Sequence, residues 1–361
     1  MKDFLRDAKK KRTFVYGFAV LSVFFFLLAR LVAEKPIAAK DAMIRAARLM
    51  REATGAVRRC REDRGLIIDT RTDPNATGLI GLDTSPITTS LGNLEAKRTT
   101  TNPNFAGLLV RLLSEAGAQR GDAIAIGASS SFPALILASL CAAEALGLEP
   151  LLICSLGASQ WGANNPDFHW LDIQECLSRA GLLDINPLAL SLGGEADSGE
   201  DMSPEGWDFL SGEARRRGFA LLEAADLPRN VEERIRLYAR AADEKEIKVF
   251  INIGGSHANL GTDSRILNVK PGLAEFRDFP PPERRGVVFE MAARGIPVIH
   301  LLYIKGLAER YGLPWDQSPL PEPGEGDIYK TKELSRRPFF LITFIYFVLA
   351  GLFFFLLILR R

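Results

Sequence analysis

The chain has 361 residues, of which 47% are hydrophobic and 25% charged, and its formal net charge at pH 7 is +1. A chain of this size can bury a substantial core in one large or two modest domains. The balanced charge, with no basic stripe and no basic motif interleaved with aromatic residues, excludes nucleic acid as an expected partner.

Both ends of the chain are far more apolar than the middle. Residues 14–32 follow a basic run at 9–12, and residues 339–359 carry no charge and lie between two pairs of arginines. Each apolar run reaches the roughly 20 residues that a helix needs to cross a bilayer. The sequence therefore predicts transmembrane helices at 14–32 and 339–359, in a two-pass protein of the inner or plasma membrane.

The charges beside these runs set the expected topology. The basic run before the first helix favours a cytoplasmic N-terminus and hence a large extracytoplasmic domain. Arg336 and Arg337, before the second helix, favour the opposite orientation. Since the first helix usually dominates, we expect the extracytoplasmic placement, and the cytoplasmic one stays open as the alternative. The four cysteines are too sparse to decide, and the apolar runs around Cys141 and Cys154 indicate buried thiols.

Helical and strand patterns alternate between the two ends. This alternation predicts an α/β fold with a mostly parallel sheet and helices on both faces, a Rossmann-like three-layer arrangement. The expected helices are at 41–61, 104–116, 133–146, 171–180, 204–217, 231–243 and 284–294. The expected strands are at 87–91, 123–126, 150–154, 188–192, 248–253 and 296–304.

The same pass along the chain gives an expected domain organisation. Residues 86–312 form the α/β domain, and residues 33–85 form a helical lead-in, which is either a stalk or a first packing helix. A proline-rich stretch at 313–338 is interpreted as a tether to the second anchor. Residues 1–13 and 360–361 are short terminal tails.

Polar, glycine-containing turns follow the expected strands. They lie at 90–93, 127–131, 155–161, 193–195 and 254–259. Because the carboxyl ends of parallel strands share one edge of a sheet, and ligands bind in the crevice outside that edge, we expect the site there.

The serine turn, residues 127–131 (GASSS), does not match the standard phosphate motifs. No lysine follows it as in a P-loop, and the three spaced glycines of a dinucleotide fingerprint are absent. No cofactor is therefore expected. Ser131 suits a helix N-cap and Pro133 the first turn, so the helix start could attract a carboxylate or could simply be capped.

A nucleophile is the other interpretation of this turn. Gly127, Ser129 and Ser131 match the esterase pattern G-x-S-x-G except for the last glycine. His257, expected at the same edge, is the candidate base for Ser129 or Ser131, whereas His300 lies in an apolar strand and suits the core. The widely spaced histidines make a metal site unexpected.

A second polar segment, at 95–104, is interpreted as a loop ahead of a helix. Its cations and amides suit an anionic ligand, with Arg98 able to bind bidentately, although such a loop could also only satisfy its own backbone. The candidate ligand-binding residues are Lys97, Arg98, Thr99, Thr100, Asn102, Ser130, Ser159, Asn252, Ser256 and Asn259.

Five stretches of the sequence resemble one protein family. They are 86–113 (PITTSLGNLEAKRTTTNPNFAGLLVRLL), 121–173 (which contains GASSS and SLGASQWGANNPDFHW), 250–261 (FINIGGSHANLG), 296–302 (IPVIHLL) and 311–316 (YGLPWD). Over these stretches the chain resembles the poly-γ-glutamate system proteins, which are encoded with the ligase and membrane components that make and export that polymer. The resemblance implies a pathway, and it carries over no catalytic residues.

The expected function combines these observations. The leading hypothesis is a membrane-anchored accessory component of poly-γ-glutamate synthesis or export. Its α/β domain binds the anionic polymer or partner membrane proteins of the pathway. The alternative is a serine-dependent hydrolase or transferase that acts on the γ-glutamyl amide bond. A third possibility is a cytoplasm-facing partner of the ligase.

Overall fold

The structure, a computed structural model, describes residues 2–35, 39–243, 245–330, 333–334 and 336–359. They fall into two compact units. The larger unit spans 39–329, and the smaller unit combines the two ends of the chain.

The helices and strands are numbered in chain order. The helices are α1 (Lys2–Ala33), α2 (Lys40–Asp63), α3 (Leu94–Thr100), α4 (Asn104–Glu115), α5 (Pro133–Leu146), α6 (Trp170–Arg179), α7 (Pro204–Arg216), α8 (Leu227–Ala242), α9 (His257–Leu260), α10 (Val287–Ala293), α11 (Ile304–Tyr311) and α12 (Arg336–Leu359). The strands are β1 (Glu34–Lys35), β2 (Ala123–Ser129), β3 (Glu149–Ser155), β4 (Asn164–Asn165), β5 (Phe168–His169), β6 (Ala189–Ser191), β7 (Ile247–Ile253), β8 (Gly272–Leu273), β9 (Val298–Leu301) and β10 (Glu333–Leu334).

A six-stranded sheet in the order β6-β3-β2-β7-β9-β8 forms the centre of the larger unit. Its strand pairs are parallel except for β8, which runs antiparallel to β9. From β2 the chain proceeds outward to β3 and β6, and from β7 it proceeds in the other direction to β9. Since parallel crossovers are right-handed, these two directions place α5 and α10 on opposite faces. The predicted α/β fold with a mostly parallel sheet is confirmed.

The central strands are buried on both faces, which explains their continuous apolar sequence. Every residue of β2 is buried. On one face, Ala125, Phe250 and Val298 pack with apolar residues of α8 and α10. On the other face, the alternate side chains, such as Ile124 and Ile251, are also fully buried. The sheet is therefore a rigid platform for the turns at its edge.

Helix α2 is part of the larger unit. Its buried residues recur three or four positions apart, as in Met43, Ala46, Met50, Ala53 and Val57, and they form one apolar face. This face packs against α4 and α5. Of the two interpretations that the sequence left open, a stalk and a first packing helix, the packing of α2 agrees with the second.

The proline-rich stretch also differs from its expected role. The side-chain amide of Asn104 donates to the carbonyl of Glu322, and its oxygen accepts from the amide of Gly324 and the hydroxyl of Tyr329. Ile328 and Tyr329 are buried. These bonds hold residues 313–329 on the larger unit, so the predicted tether was wrong over that range. Residues 331–332 and 335 lie outside the described residues.

Two of the predicted strands are shorter than expected. The stretch at 87–91 contributes only a single parallel bridge, from Thr88 to Ala158. The last predicted strand ends at Leu301, and α11 begins at Ile304 because the chain turns there. Periodicity did not reveal α3, α9 and β8, because each is too short to show a pattern.

In the smaller unit, α1 and α12 lie side by side. The hydroxyl groups of Ser22 and Tyr346 are 2.9 Å apart, and the ring of Tyr346 also contacts Phe18 and Phe25. The apolar runs at 14–32 and 339–359 lie within these helices. Among the residues that the structure describes, no helix meets both the length and the mean hydropathy needed to cross a bilayer.

A disulfide joins Cys60 of α2 to Cys176 of α6. The sequence had left the pairing open. Cys141 and Cys154 are free thiols and buried, as expected, and burial raises the pKa of Cys154 to about 12. The disulfide therefore ties the first packing helix to the sheet domain across a sequence separation of 116 residues.

Reduction of this disulfide will destabilise the protein. Closing a loop of this length lowers the entropy of the unfolded chain, and a loop of about 100 residues corresponds to roughly 4 to 5 kcal/mol. We expect urea unfolding at a lower midpoint after reduction, and the same shift in the Cys60→Ser, Cys176→Ser double variant without reductant. The Cys141→Ala variant, as a control, should keep its sensitivity to reduction. An unchanged midpoint on reduction of the wild type would contradict the assigned pairing.

Candidate functional site

A cleft opens at the carboxyl edge of the sheet, above β2 and β7. These two strands are neighbours, and the connections that follow them lead to opposite sides of the sheet. This is the topological switch point at which open α/β sheets bind ligands. The cleft has a volume of about 330 Å³ and is called the switch-point cleft. Its principal polar lining residues are Ser90, Asn93, Lys97, Ser129, Ser131, Ser155, Ser159, Glu195, Asp201, Ser256 and His257.

The serine turn leads from β2 into α5. Ser129 is the last residue of β2, Phe132 occupies the N-cap position, and Pro133 is the first helical residue. The Phe132 amide bonds to the Ser129 carbonyl, so the chain folds back before the helix begins. Ser131 is therefore not the N-cap that the sequence predicted. Its Oγ instead accepts a hydrogen bond from the backbone N–H of Ser159, at 2.9 Å.

The loop after β3 brings Ser159 to the serine turn. The amide of Ala163 bonds to the carbonyl of Ser130, and the amide of Gly162 bonds to the carbonyl of Ser159. A Cβ at Gly162 would lie 2.8 Å from the Ser131 Cα, so a residue with a side chain cannot occupy this position without moving the backbone. Close backbone approach thus fixes Ser159 beside Ser131.

Helix α3 holds Lys97 in the floor of the cleft. The prediction of a loop at 95–104 was therefore wrong, since residues 95–100 are helical. The side chain of Asn93 caps the helix by accepting from the Ala96 amide, Glu95 lies in the first turn, and Lys97 and Arg98 lie in the last. Capping at one end and charges that complement the helix dipole at both ends are the signals that could have revealed it.

The amine of Lys97 is buried among uncharged groups. Its Nζ lies 2.7 Å from the Oγ of Ser159, donates to the carbonyl oxygen of Ser131, and lies 3.8 Å from the centroid of the Phe132 ring. No carboxylate in the described ranges forms an ion pair with it. The side chain is 3% exposed, and burial lowers the pKa of the amine to about 7. Near neutral pH, Lys97 therefore occupies both its charged and its neutral form.

Ser129 and Ser131, which both line the cleft, are joined by a hydrogen bond between their side chains. The hydroxyl of Ser129 donates to Ser131 Oγ at 2.9 Å. Ser131 Oγ thus accepts two hydrogen bonds, one from Ser129 and one from the Ser159 amide. Because a hydroxyl carries one proton and two lone pairs, the proton of Ser131 is left to donate to a ligand oxygen.

His257 lines the same cleft but does not pair with a serine. Its Nδ1 accepts from the backbone N–H of Ala196 at 3.3 Å. The proton of the neutral ring is therefore on Nε2, which makes His257 a donor rather than a base. No hydrogen bond joins His257 to Ser129 in the described part of the chain. Ser129 and His257, the expected nucleophile and base, line the same cleft. Ser129 donates to Ser131 instead, and His257 accepts from the Ala196 amide.

Several predicted ligand-binding residues face away from the cleft. Arg98 forms a bidentate ion pair with Asp316, and this bond raises the pKa of the guanidinium. The hydroxyl of Thr99 accepts from the Asp316 amide, and that of Thr100 donates to the Lys97 carbonyl. The side-chain oxygen of Asn102 accepts from the Asn104 amide within its own turn. The bonds to Asp316 hold α3 against the segment that follows α11.

Three further candidates are buried beneath the edge of the sheet. The hydroxyl of Ser130 donates to the Ser155 carbonyl at 2.6 Å. The side-chain amide of Asn252 bonds to the Gly254 carbonyl and lies 3.0 Å from Nδ1 of His300. Asn259 is fully buried, and a Cβ at Gly127 would touch it. Burial lowers the pKa of His300 to about 4, so it is a neutral core histidine, as its apolar strand indicated.

Asp201 lines the cleft and was missed, and Ser155, in a turn that the sequence had placed at this edge, was not among the candidate residues. Ser155 ends β3 and pairs in register with Ser129, so its strand position could have revealed it. Asp201 accepts from the Glu195 amide and lies with Glu195 in the connection after β6. Glu195 was in a turn that the sequence had placed at this edge, although its role was not assigned. No group of three or more metal-ligating side chains occurs among the described residues.

Removal of the Lys97 amine will change the pH dependence of stability. The folded pKa of about 7 lies below the ordinary value of 10.5, so between these values the unfolded chain binds more protons and stability rises with pH. Below pH 7 both states carry the charge, and its burial disfavours folding. We expect the free energy of unfolding of the wild type to gain about 3 to 4 kcal/mol relative to Lys97→Met between pH 7 and 10, because one proton changes it by at most about 1.4 kcal/mol per pH unit. Urea titrations at several pH values measure this difference, with the exposed Lys270→Met as control. A constant difference would contradict the buried neutral amine.

Comparisons with protein-family models, with curated proteins and with solved structures find no match.

Proposed function

We propose that the chain is a membrane-attached component of poly-γ-glutamate synthesis or export whose larger unit binds the carboxylates of the polymer. One observation carries the binding proposal: the buried amine of Lys97 lies in a cleft at the switch point without a carboxylate partner among the described residues. The pathway itself rests on the resemblance of the sequence to the poly-γ-glutamate system proteins.

The chemistry of the cleft suits a carboxylate. A protonated amine has three N–H donors, and Ser131 and Ser159 occupy two of them. A ligand carboxylate would accept the third and supply the missing negative charge, while the proton of Ser131 reaches its other oxygen. Each residue of a γ-linked glutamate chain keeps one free carboxylate, so the polymer presents this group repeatedly.

An acidic wall of the cleft, formed by the connection after β6, limits how the polymer can lie. Glu195 and Asp201 of this connection line the cleft and are exposed. Their charges would repel a uniformly anionic chain, so the carboxylates must lie on the Lys97 side. An amino group at the end of a chain could lie against the acidic wall, and an end of the polymer therefore fits the cleft better than its middle.

Attachment to the membrane is the second part of the proposal. The helix pair α1 and α12 exposes many large apolar side chains, an arrangement that water disfavours and lipid accepts. They include Val15, Val20, Val23, Phe24, Phe26, Phe340, Phe344, Phe347 and Phe355. Membrane proteins that synthesise or export the polymer are the partners that this attachment would bring close.

An extracytoplasmic position for the larger unit has independent support. The disulfide between Cys60 and Cys176 would persist in an oxidising compartment, whereas the cytoplasm keeps thiols reduced. The positive charge before the first apolar run favours the same side. A cytoplasm-facing partner of the ligase is the competing placement.

The affinity for γ-linked glutamate will depend on Lys97 and will fall as pH rises. A bound carboxylate favours the charged amine, so binding takes up a proton once the pH exceeds the free pKa of about 7. We expect a fluorescent γ-linked glutamate pentamer to bind the full chain in detergent, with affinity about tenfold lower at pH 9 than at pH 7. Lys97→Met should lose about tenfold or more in affinity at pH 7.

Two controls make this binding measurement specific. Lys270→Met removes an exposed lysine outside the cleft and should leave the affinity unchanged. The γ-linked isoglutamine pentamer, in which a carboxamide replaces each free carboxylate, has the same backbone without the charges and should bind weakly. Equal affinity of Lys97→Met and the wild type would overturn the binding site, and equal affinity for the two pentamers would overturn the role of the carboxylates.

The topology can be tested in whole cells. Protease added to intact spheroplasts should digest the larger unit if it is extracytoplasmic, because the membrane protects only what lies in the cytoplasm. A cytoplasmic marker protein must stay intact in the same sample. Digestion only after lysis would show the cytoplasmic placement, and release of the chain from membranes by alkaline carbonate would contradict membrane attachment.

A further inference from the structure

Ser159 and Lys97 form a pair that neither the sequence patterns nor the resemblance assigned. Ser159 lies in the loop after β3, Lys97 lies on α3, and their Oγ and Nζ atoms are 2.7 Å apart. Both residues line the switch-point cleft. A hydroxyl and an amine at this distance are within the reach of direct proton transfer, which is the geometric requirement for a nucleophile and its base.

The surroundings of the amine favour the form that can accept a proton. The contacts of Nζ are a carbonyl, a hydroxyl and an aromatic ring, all of them uncharged. In its neutral form the amine can donate to the Ser131 carbonyl and accept the Ser159 hydroxyl proton on its lone pair. The lowered pKa agrees with this geometry. The other charged and titratable groups that line the cleft with the amine are Glu195, Asp201 and His257.

A hydrogen-bond donor is already present beside the nucleophile. Ser131 Oγ accepts from the backbone N–H of Ser159, so the two residues keep a fixed separation. The proton of Ser131 is not used in the hydrogen bond from Ser129. It can therefore donate to the oxygen of a carbonyl group under attack by Ser159, where negative charge develops.

We propose that Ser159 is a nucleophile that Lys97 activates, and that the cleft performs acyl transfer on an amide bond. Ser159 Oγ attacks the carbonyl carbon while its proton passes to Lys97 Nζ. The C–N bond then breaks, the proton passes to the leaving amine, and an ester joins the acyl group to Ser159. Water, deprotonated by Lys97, or a second amine then attacks this ester and releases Ser159 with its proton restored.

The substrate class, a γ-glutamyl amide at the end of the polymer, rests on the proposed function, whereas the pair of residues does not. The two roles of Lys97 use different protonation states. The neutral amine activates Ser159, and the protonated amine holds the carboxylate that hydrolysis leaves in the cleft. Labelling of Ser159 should thus rise with pH, while binding of the polymer falls.

A fluorophosphonate reagent tests the nucleophile on the full chain in detergent, without knowledge of the substrate. It phosphonylates activated serines, and tandem mass spectrometry locates the label. We expect labelling at Ser159, with a rate that rises about tenfold per pH unit below pH 7 and levels above it. Ser159→Ala should lose the label. Lys97→Met and Lys97→Arg should each slow labelling at least about a hundredfold, because neither side chain supplies a neutral amine.

Two further variants separate a chemical effect from a structural one. Ser178→Ala changes an exposed serine of α6 on the same tryptic peptide and should label as fast as the wild type. Ser159→Cys keeps the size of the side chain, and it should be alkylated by iodoacetamide faster when Lys97 is present than in Ser159→Cys with Lys97→Met. If Ser159→Ala does not fold, the alkylation rates of the two cysteine variants show whether Lys97 activates the side chain at position 159.

Three outcomes of the labelling experiment would overturn the pair. A wild type that does not react between about pH 6 and 9, a label on another serine, or a rate independent of Lys97 would each exclude Ser159 as the activated nucleophile. Labelling of Ser159 without binding of the γ-linked glutamate pentamer would retain the pair and remove its substrate class. Binding without labelling would retain the proposed function and remove the pair.

Discussion

The burial of the Lys97 amine among uncharged groups is the constraint on which the cleft depends. An amine in this position must either lose its proton or find a negative charge, because a buried, unpaired charge is costly. Three separate segments create the condition: α3 presents the lysine, the turn after β2 supplies a carbonyl and an aromatic ring, and the loop after β3 supplies a hydroxyl. The proposed binding of a carboxylate and the proposed activation of Ser159 both depend on these contacts, in different protonation states of Lys97.

The sheet explains why these segments meet. Serines end two neighbouring strands in register, with Ser129 beside Ser155. The connections after β2 and β7 lead to opposite sides of the sheet, and the cleft lies between them. Below the cleft is the carboxyl end of β2, which is buried along its whole length. Because both faces of the sheet are covered, the edge is the part of the sheet at which polar side chains can converge on a ligand. The rigid strands, rather than the short α9 or the exposed wall after β6, therefore set the geometry of the cleft.

Sequence patterns predicted the helices and strands better than they predicted the contacts between side chains. Helix α5 and the central strands were found nearly at their observed bounds, because Pro133 and continuous apolar runs mark them strongly. Six of the predicted site residues line the switch-point cleft at the predicted edge of the sheet, namely Lys97, Ser129, Ser131, Ser159, Ser256 and His257. The partners were not predictable. Arg98 pairs with Asp316, which is more than 200 positions along the chain, and no local pattern indicates such a contact. Similarly, the backbone approach of Gly162 to Ser131 determines which serine meets Lys97.

A structure of the full chain in detergent with a γ-linked glutamate trimer bound, determined near pH 6, tests the central claim most directly. We expect the trimer in the switch-point cleft, with one carboxylate within hydrogen-bond distance of Lys97 Nζ and Ser131 Oγ. A trimer bound elsewhere, or one in the cleft whose carboxylates avoid Lys97, would contradict it.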